Sequence, residues 1–242
     1  MSTDAQQSPP GVGPAFWRGY RDCSPFILVV APFGLLFGAV ASDAGLNLLE
    51  TMTMTILVIA GAAQFTALAL LQEHAPTLIV IAAALAVNLR MAMYSAALVP
   101  HIGSATLLRR AFASYFVVDQ VFAVSVKAFD FDGGFSVAQK IAFIVGAGSA
   151  IFPFWIGCTL AGALVGNAIP PEFSLDFAIP ICFISITAPM MRSLPHLVAA
   201  IVSITVALAL AWLPYYLWLM VAALLAMIAG AQTELWLQRR SA

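Results

Sequence analysis

Residues 75–100 read APTLIVIAAALAVNLRMAMYSAALVP, and the only charge among them is Arg90. A bilayer-spanning helix needs about 20 predominantly apolar residues. This stretch is long enough to cross a membrane, with an arginine well inside it. The same pattern extends outward in both directions. Uncharged runs cover Cys23–Ser42, Thr51–Gln72, Ala111–Val126 (broken only by Asp119), Ile141–Pro171, Phe177–Met191 and Ser193–Thr233. Ile141–Pro171 is too long for one straight helix. Ser193–Thr233 divides into two spans that turn at Pro214, where Trp212, Tyr215 and Tyr216 fit an interfacial aromatic belt. The expectation is an all-α, polytopic transmembrane helical bundle of about eight spans, some broken or short.

Composition requires the bilayer as solvent. The chain is 62% hydrophobic and 9% charged, with a mean hydropathy of +0.99. Soluble domains carry about 25% charged residues. A net charge of −1 removes the basic footprint of a nucleic-acid binder. Cys23, Cys158 and Cys182 show neither metal-ligand nor disulfide spacing and read as small buried hydrophobes. No metal and no cofactor is expected. Residues 1–22 read as a polar, disordered, cytoplasmic N-terminus without the features of a secretory signal. A single transmembrane domain, 23–238, follows.

Basic residues set the orientation. Arg18 and Arg21 flank the first span, so the N-terminus is placed in the cytoplasm. Eight spans then put Lys127, Lys140, Arg192, Arg239 and Arg240 inside, and Asp43, Glu50, Glu172 and Asp176 outside. Arg109 and Arg110 fall on the wrong side. Making the second run re-entrant would move them inside but misplace Lys127 and Lys140. An internal echo also stands out. Pro32-Phe33 followed by Gly45 matches Pro153-Phe154 followed by Gly166, at one spacing. It suggests two-fold repeat halves, 23–128 and 139–238, as transporters often carry. Three matched residues fit two unrelated Gly/Pro-bearing helices equally well.

Residues that could carry chemistry lie in the apolar runs. A mid-membrane arginine costs about 2.5–3.5 kcal/mol on insertion scales and persists beside a partner, a cavity or an anion. Arg90 could bind a substrate carboxylate, form a structural ion pair, or snorkel to the interface. Tyr94 lies one helical turn from it, and Asn88 about 160° round the helix. Asp119 could bind an ammonium, exchange a proton, or serve only as counter-ion to Arg90. Gly61-Ala62-Ala63-Gln64-Phe65 could break a helix and expose backbone N–H groups to an anion, or form a small-residue packing face. Gln64 could hydrogen-bond a ligand. Phe33, Phe65 and Phe122 are candidate pocket walls. Gly34 with Gly38, and Gly162 with Gly166, are small-xxx-small packing signatures. Pro180 and Pro189 imply kinks. His74, His101 and His196 fall at span ends. Ser149 in a small-residue setting lacks a nearby histidine base, so no enzymatic activity is expected.

Taken in order, Pro32-Phe33-Gly34 with Phe37-Gly38, Ala60-Gly61-Ala62-Ala63-Gln64-Phe65, Asn88-Leu89-Arg90 with Tyr94-Ser95, and Leu98-Val99-Pro100-His101 resemble the AzlC/YgaZ family. Leu175-Asp176-Phe177-Ala178 fits the same pattern. The resemblance covers about Phe16 to Met191. It implies the large subunit of a two-component exporter of branched-chain and other hydrophobic amino acids (valine, leucine, isoleucine, methionine). Such an exporter is driven by the proton gradient, sits in the bacterial inner membrane, and works with a small hydrophobic AzlD/YgaH-type subunit. Read together with that resemblance, Arg90 or the broken helix at Gly61 could hold an amino acid's carboxylate and Asp119, with Gln64 or Asn88, its ammonium; Tyr94 and Phe65 complete the expected substrate site, and Asp119 could also carry the coupled proton. Two positions depart from the family. Met91 stands where histidine is common, and Gln120 where glutamate commonly follows Asp119. Both departures bear on proton coupling and substrate.

Overall fold

The computed structural model describes residues 11–131, 134–166, 184, 191, 193–213 and 217–241. The proposed sixth span apart from Ile184 and Met191, with Cys182, Pro180, Pro189, Glu172, Arg192, Leu175-Asp176-Phe177-Ala178 and the Pro214-Tyr215-Tyr216 turn, lies outside these. The regular structure among the described residues is all helical, without strands. In chain order the helices are α1 (Val12–Cys23), a short 3-10 turn (Ser24–Phe26), α2 (Ile27–Asp43), α3 (Leu48–Val58), α4 (Gly61–Gln72), α5 (Thr77–Ile102), α6 (Leu107–Tyr115), α7 (Asp119–Phe131), α8 (Val137–Gly166), α9 (Leu194–Ala209) and α10 (Leu217–Ser241). Four stretches are long and apolar enough to cross a membrane: Val12–Asp43, Thr77–Ile102, Val137–Gly166 and Val221–Arg240. Their outward faces carry large apolar side chains such as Leu28, Leu78, Leu85, Leu164 and Leu224, which suits contact with lipid.

The chain divides into two compact units. The first comprises residues 1–61 and 88–169, the second 62–87 and 170–242. They cut across the halves 23–128 and 139–238. In the second unit α9 and α10 pair antiparallel, with Gly230 against Ala199.

The first unit is built on α8. Ile141–Pro171 was expected to exceed one helix; instead Val137–Gly166 is continuous through Pro153. At 1.5 Å per residue it is about 45 Å long. Helices α1 and α2 run alongside it in the same direction, so the two echo helices are neighbours. Glycine makes their approach possible. A Cβ on Gly38 would overlap the Thr159 carbonyl, and one on Gly162 the Leu35 carbonyl. Apolar attraction between helices is weak in lipid, so close backbone contact supplies the adhesion.

The N-terminal segment corrects the expectation of a disordered 1–22. Residues 12–22 are helical. Ala15, Gly19 and Cys23 form a buried stripe, and a Cβ on Gly19 would overlap the Phe143 carbonyl of α8. The segment's average polarity conceals this narrow face. Arg18 pairs with Asp22 on its flank at 3.6 Å.

The fourth apolar run also differs from expectation. It folds back instead of crossing. Helix α5 and helix α7 run parallel: Arg90 meets Asp119 and, eleven residues on, His101 meets Asp130 at 3.4 Å. Their C-termini therefore lie at one end of the unit, where Lys140 at the start of α8 reaches His101 at 3.2 Å. Helix α6 leaves that end and stops at mid-depth, where Tyr115 and Phe116 contact Phe152, 5.5 and 5.1 Å between ring centroids. Phe116–Val118 reverses the chain, and α7 returns. Nine and thirteen residues make about 14 and 20 Å of helix, too short for a core of about 30 Å. The hairpin gathers Arg109, Arg110, Lys127 and Lys140 at one end with Arg18, which lies over the Phe135 ring at 5.5 Å. Asp43 and Glu50 occupy the other end. The misplaced arginines thus arose from counting a hairpin as a span.

Helix α3 enters from the acidic end. Asn47 and Glu50 cap it reciprocally, the Glu50 N–H donating to Asn47 Oδ1 at 2.9 Å and the Asn47 N–H to Glu50 Oε2 at 2.8 Å. It stops at Ile59, whose left-handed backbone, φ 37°, is unusual for a β-branched residue. Two measurements check this architecture. Gly38→Leu and Gly162→Leu should sharply reduce folded protein in the membrane through overpacking, whereas Gly157→Ala, with open space around it, should not. Cysteines at Arg109 and Lys140 should react with a membrane-impermeant thiol reagent from one side, and a cysteine at Asp43 from the other.

Candidate functional site

Two helix ends meet at mid-depth in the first unit. Tyr115 closes α6, and its hydroxyl donates to the Ile56 carbonyl near the end of α3 at 2.9 Å. That bond satisfies one of the carbonyls a helix C-terminus leaves without an intrahelical partner. Beside it lies a cavity of about 230 Å³. One wall is the end of α3 with its linker, Leu57–Ala60. A second is the end of α6 with its turn, Ser114, Tyr115 and Val117. The third is a stripe of α5, Asn88, Met91 and Ser95. All belong to the first unit.

Arg90 and Tyr94 share another face of α5, turned toward α7. Arg90 Nη1 donates to Asp119 Oδ2 at 2.9 Å, and the Tyr94 hydroxyl to Oδ1 at 2.9 Å. Tyr94 stacks on Phe122 with centroids 4.2 Å apart and planes 15° from parallel, which fixes its hydroxyl. Asp119 is the first residue of α7, where a carboxylate complements the N-terminal helix dipole. The Arg90 and Asp119 side chains remain 27% and 39% exposed, so the pair is not sealed within the protein. Two buried atoms at these faces have no hydrogen-bond partner among the described residues, Arg90 Nε and Asn88 Oδ1.

Arg90, Asp119 and Tyr94 therefore form one hydrogen-bonded cluster that leaves Arg90 Nε unpaired, while Asn88 is among the residues lining the cavity. Gly61 sits behind the α3 break, where a Cβ would lie 2.8 Å from Phe33 and 3.1 Å from Trp155; close packing explains it without an anion. Phe33 and Phe122 pack elsewhere and are not among the cavity-lining residues. Gln64 and Phe65 are fully buried and belong to the second unit. The sequence reading missed Ser95, Ser114 and Tyr115 as cavity residues. Only the i, i+3, i+7 spacing of Asn88, Met91 and Ser95 could have signalled the stripe. Among the described residues no cluster of His, Cys, Asp or Glu could hold a metal ion.

Long apolar helices, with two others interrupted beside a cavity, define a helical membrane protein. The AzlC protein family model matches residues 25–169, and the chain belongs to that family. The match spans α2 through α8, including both interruptions. An uncharacterized membrane protein of Archaeoglobus fulgidus is 29% identical over 205 residues, covering 80% of this chain and 84% of that protein. The inner membrane protein YgaZ of Escherichia coli is 24% identical over 195 residues, 76% of each chain. An uncharacterized membrane protein of Helicobacter pylori is 27% identical over 165 residues, 66% of this chain and 68% of its own. No solved structure matches.

Substitutions in the cluster should rank by what they leave unpaired. Tyr94→Phe removes one hydrogen bond to a charged group, worth about 1.5–3 kcal/mol, and partial exposure sets the expected loss at the low end. Arg90→Ala strands the carboxylate and should lower thermal stability further, though partial exposure of the pair holds the loss below the roughly 3–5 kcal/mol of a fully buried one. Unfolding of the purified protein in detergent measures both.

Proposed function

We propose that this chain is the transport subunit of a secondary exporter that moves branched-chain and other hydrophobic amino acids out of the cytoplasm. The observation that carries this reading is the cavity between two interrupted helices. Interrupted helices mark binding sites in secondary transporters, because they bring backbone dipoles and polar groups into the bilayer interior. At about 230 Å³ the cavity is smaller than the roughly 300–1,000 Å³ of drug-sized sites, which suits a solute of amino-acid size. Leu57, Val58, Met91 and Val117 offer it apolar walls. Family membership supports a transport role over a catalytic one.

Asp119 is the proton carrier in this reading. Protonation would weaken its ion pair with Arg90 and loosen α7 from α5, coupling proton movement to the hairpin beside the cavity. The basic end, with Arg18, Arg109, Arg110, Lys127 and Lys140, faces the cytoplasm by the positive-inside tendency, which places the N-terminus there. The chain resides in the cell membrane with a small hydrophobic subunit of the AzlD/YgaH type.

Efflux of preloaded, labelled valine or methionine tests the proposal. Cells expressing the chain with that subunit should lose label faster than controls, saturably and with dependence on the proton gradient. Asp119→Asn should abolish the pH dependence. Unchanged pH-dependent export in Asp119→Asn would remove Asp119 from coupling. Absence of efflux for every hydrophobic amino acid, with the protein folded in the membrane, would assign the cavity to a different solute.

A further inference from the structure

We propose that the basic end of the first unit carries a pH-sensitive latch: the neutral His101 ring joins the end of α5 to the start of α8 and releases α8 on taking up a proton.

His101 lies in the last turn of α5. Its two ring nitrogens face opposite charges. Nδ1 is 3.2 Å from Lys140 Nζ on α8, and Nε2 is 3.4 Å from Asp130 Oδ1 on α7. A lysine ammonium only donates. The Lys140 contact therefore requires a bare Nδ1 and puts the proton of the neutral ring on Nε2, toward Asp130. Phe129 of α7 packs against both partners, its centroid 5.3 Å from that of the His101 ring and 5.4 Å from Lys140 Nζ. The His101 side chain is 16% exposed and that of Asp130 54%.

A second proton on the ring occupies Nδ1. Lys140 then loses its acceptor, and an N–H meets an ammonium where the hydrogen bond was. The Asp130 contact gains charge, but that carboxylate stands largely in solvent, where an ion pair contributes little. The balance loosens α8 from α5 and leaves α5 on α7. The other cations of this end cannot restore the contact. Lys127, one turn before Asp130 on α7, and Arg109 of α6 are exposed. Arg110 of α6 donates to the Gly103 carbonyl at 3.3 Å, two residues beyond His101. Arg18 of α1 stands over Phe135 at 5.5 Å and pairs with Asp22 at 3.6 Å. All four are donors only, so none replaces His101 as acceptor for Lys140.

Histidine is the side chain whose ordinary charge change falls between pH 5 and 8. The latch is closed at the upper end of that range and opens as pH on the basic side falls. It is separate from the Arg90–Asp119 pair, eleven residues back along both helices, and it does not depend on the identity of any solute. Helix α5 also lines the cavity, so release of its end from α8 gives pH on that side a route to the cavity wall.

EPR distances between nitroxides on cysteines at Ser104 and Ala138, both exposed, test the latch in the full chain in lipid nanodiscs with Cys23, Cys158 and Cys182 replaced by alanine. The distribution should be narrow at pH 8 and broader or longer at pH 5. His101→Gln should remove that response, and Lys140→Met should show the open distribution at both pH values. Lys140→Arg, which keeps a donor, should preserve the response. Asp119→Asn should preserve it too, which separates the latch from the coupling proton. Identical distributions at the two pH values in the chain with His101 intact would overturn the proposal. So would a response that persists in His101→Gln or disappears in Asp119→Asn. If the His101 and Lys140 variants do not fold, histidine 15N spectra of a chain with His74→Gln and His196→Gln decide. The remaining ring should be protonated on Nε2 alone at pH 8 and on both nitrogens at pH 5, and an Nδ1–H ring at pH 8 would overturn the proposal.

Discussion

A helix that ends halfway through a bilayer leaves carbonyls without water to solvate them, and the protein must satisfy them itself. The rest of the first unit follows from that constraint. Helix α3 stops at Ile59 and α6 at Tyr115, and each needs the other: the Tyr115 hydroxyl caps a carbonyl of α3. Holding the two ends at one depth requires a rigid frame, which α8 provides by accepting α1 and α2 at glycine-limited distance along its length. The interruption is tolerated where protein surrounds it and a cavity lies beside it.

The Arg90–Asp119–Tyr94 cluster serves the same geometry. It ties the returning arm of the hairpin to a full-length helix, in register with His101 and Asp130 one helix-length lower. Two polar links between parallel helices fix the hairpin's depth. The cavity-lining Asn88 stripe and the ion-pair stripe share α5, so movement of the hairpin against α5 would be felt on both faces of that helix. Ion pair and cavity are mechanically linked without sharing a residue.

Much of this was legible in the chain. Run lengths and scarce charges gave an all-helical membrane protein, and the ordered motifs from Pro32 to His101 indicated the family that the match over residues 25–169 establishes. The Gly34/Gly38 and Gly162/Gly166 spacings marked packing faces that do pack on each other. Counting apolar residues could not distinguish a span from a hairpin. Ala111–Val126 is as apolar as a crossing helix, and only Arg109 and Arg110 on the wrong side hinted at the reversal. The ordering of 12–22 was hidden because three small residues four apart barely alter average polarity. Arg90 and Asp119 stood out as charges in apolar runs, yet they bind each other. Ser95 and Ser114 drew little notice because uncharged polar residues are common in membrane helices.

The central claim is that solute passes through the cavity where the two half-length helices meet. The most direct test is Ser95→Cys in a chain whose Cys23, Cys158 and Cys182 are replaced by alanine, reconstituted in proteoliposomes and modified after folding with a bulky thiol reagent. Modification should stop valine exchange, and excess valine should slow the modification. Exchange that continues at the unmodified rate once Ser95→Cys is fully labelled would contradict the claim and move the pathway elsewhere in the protein.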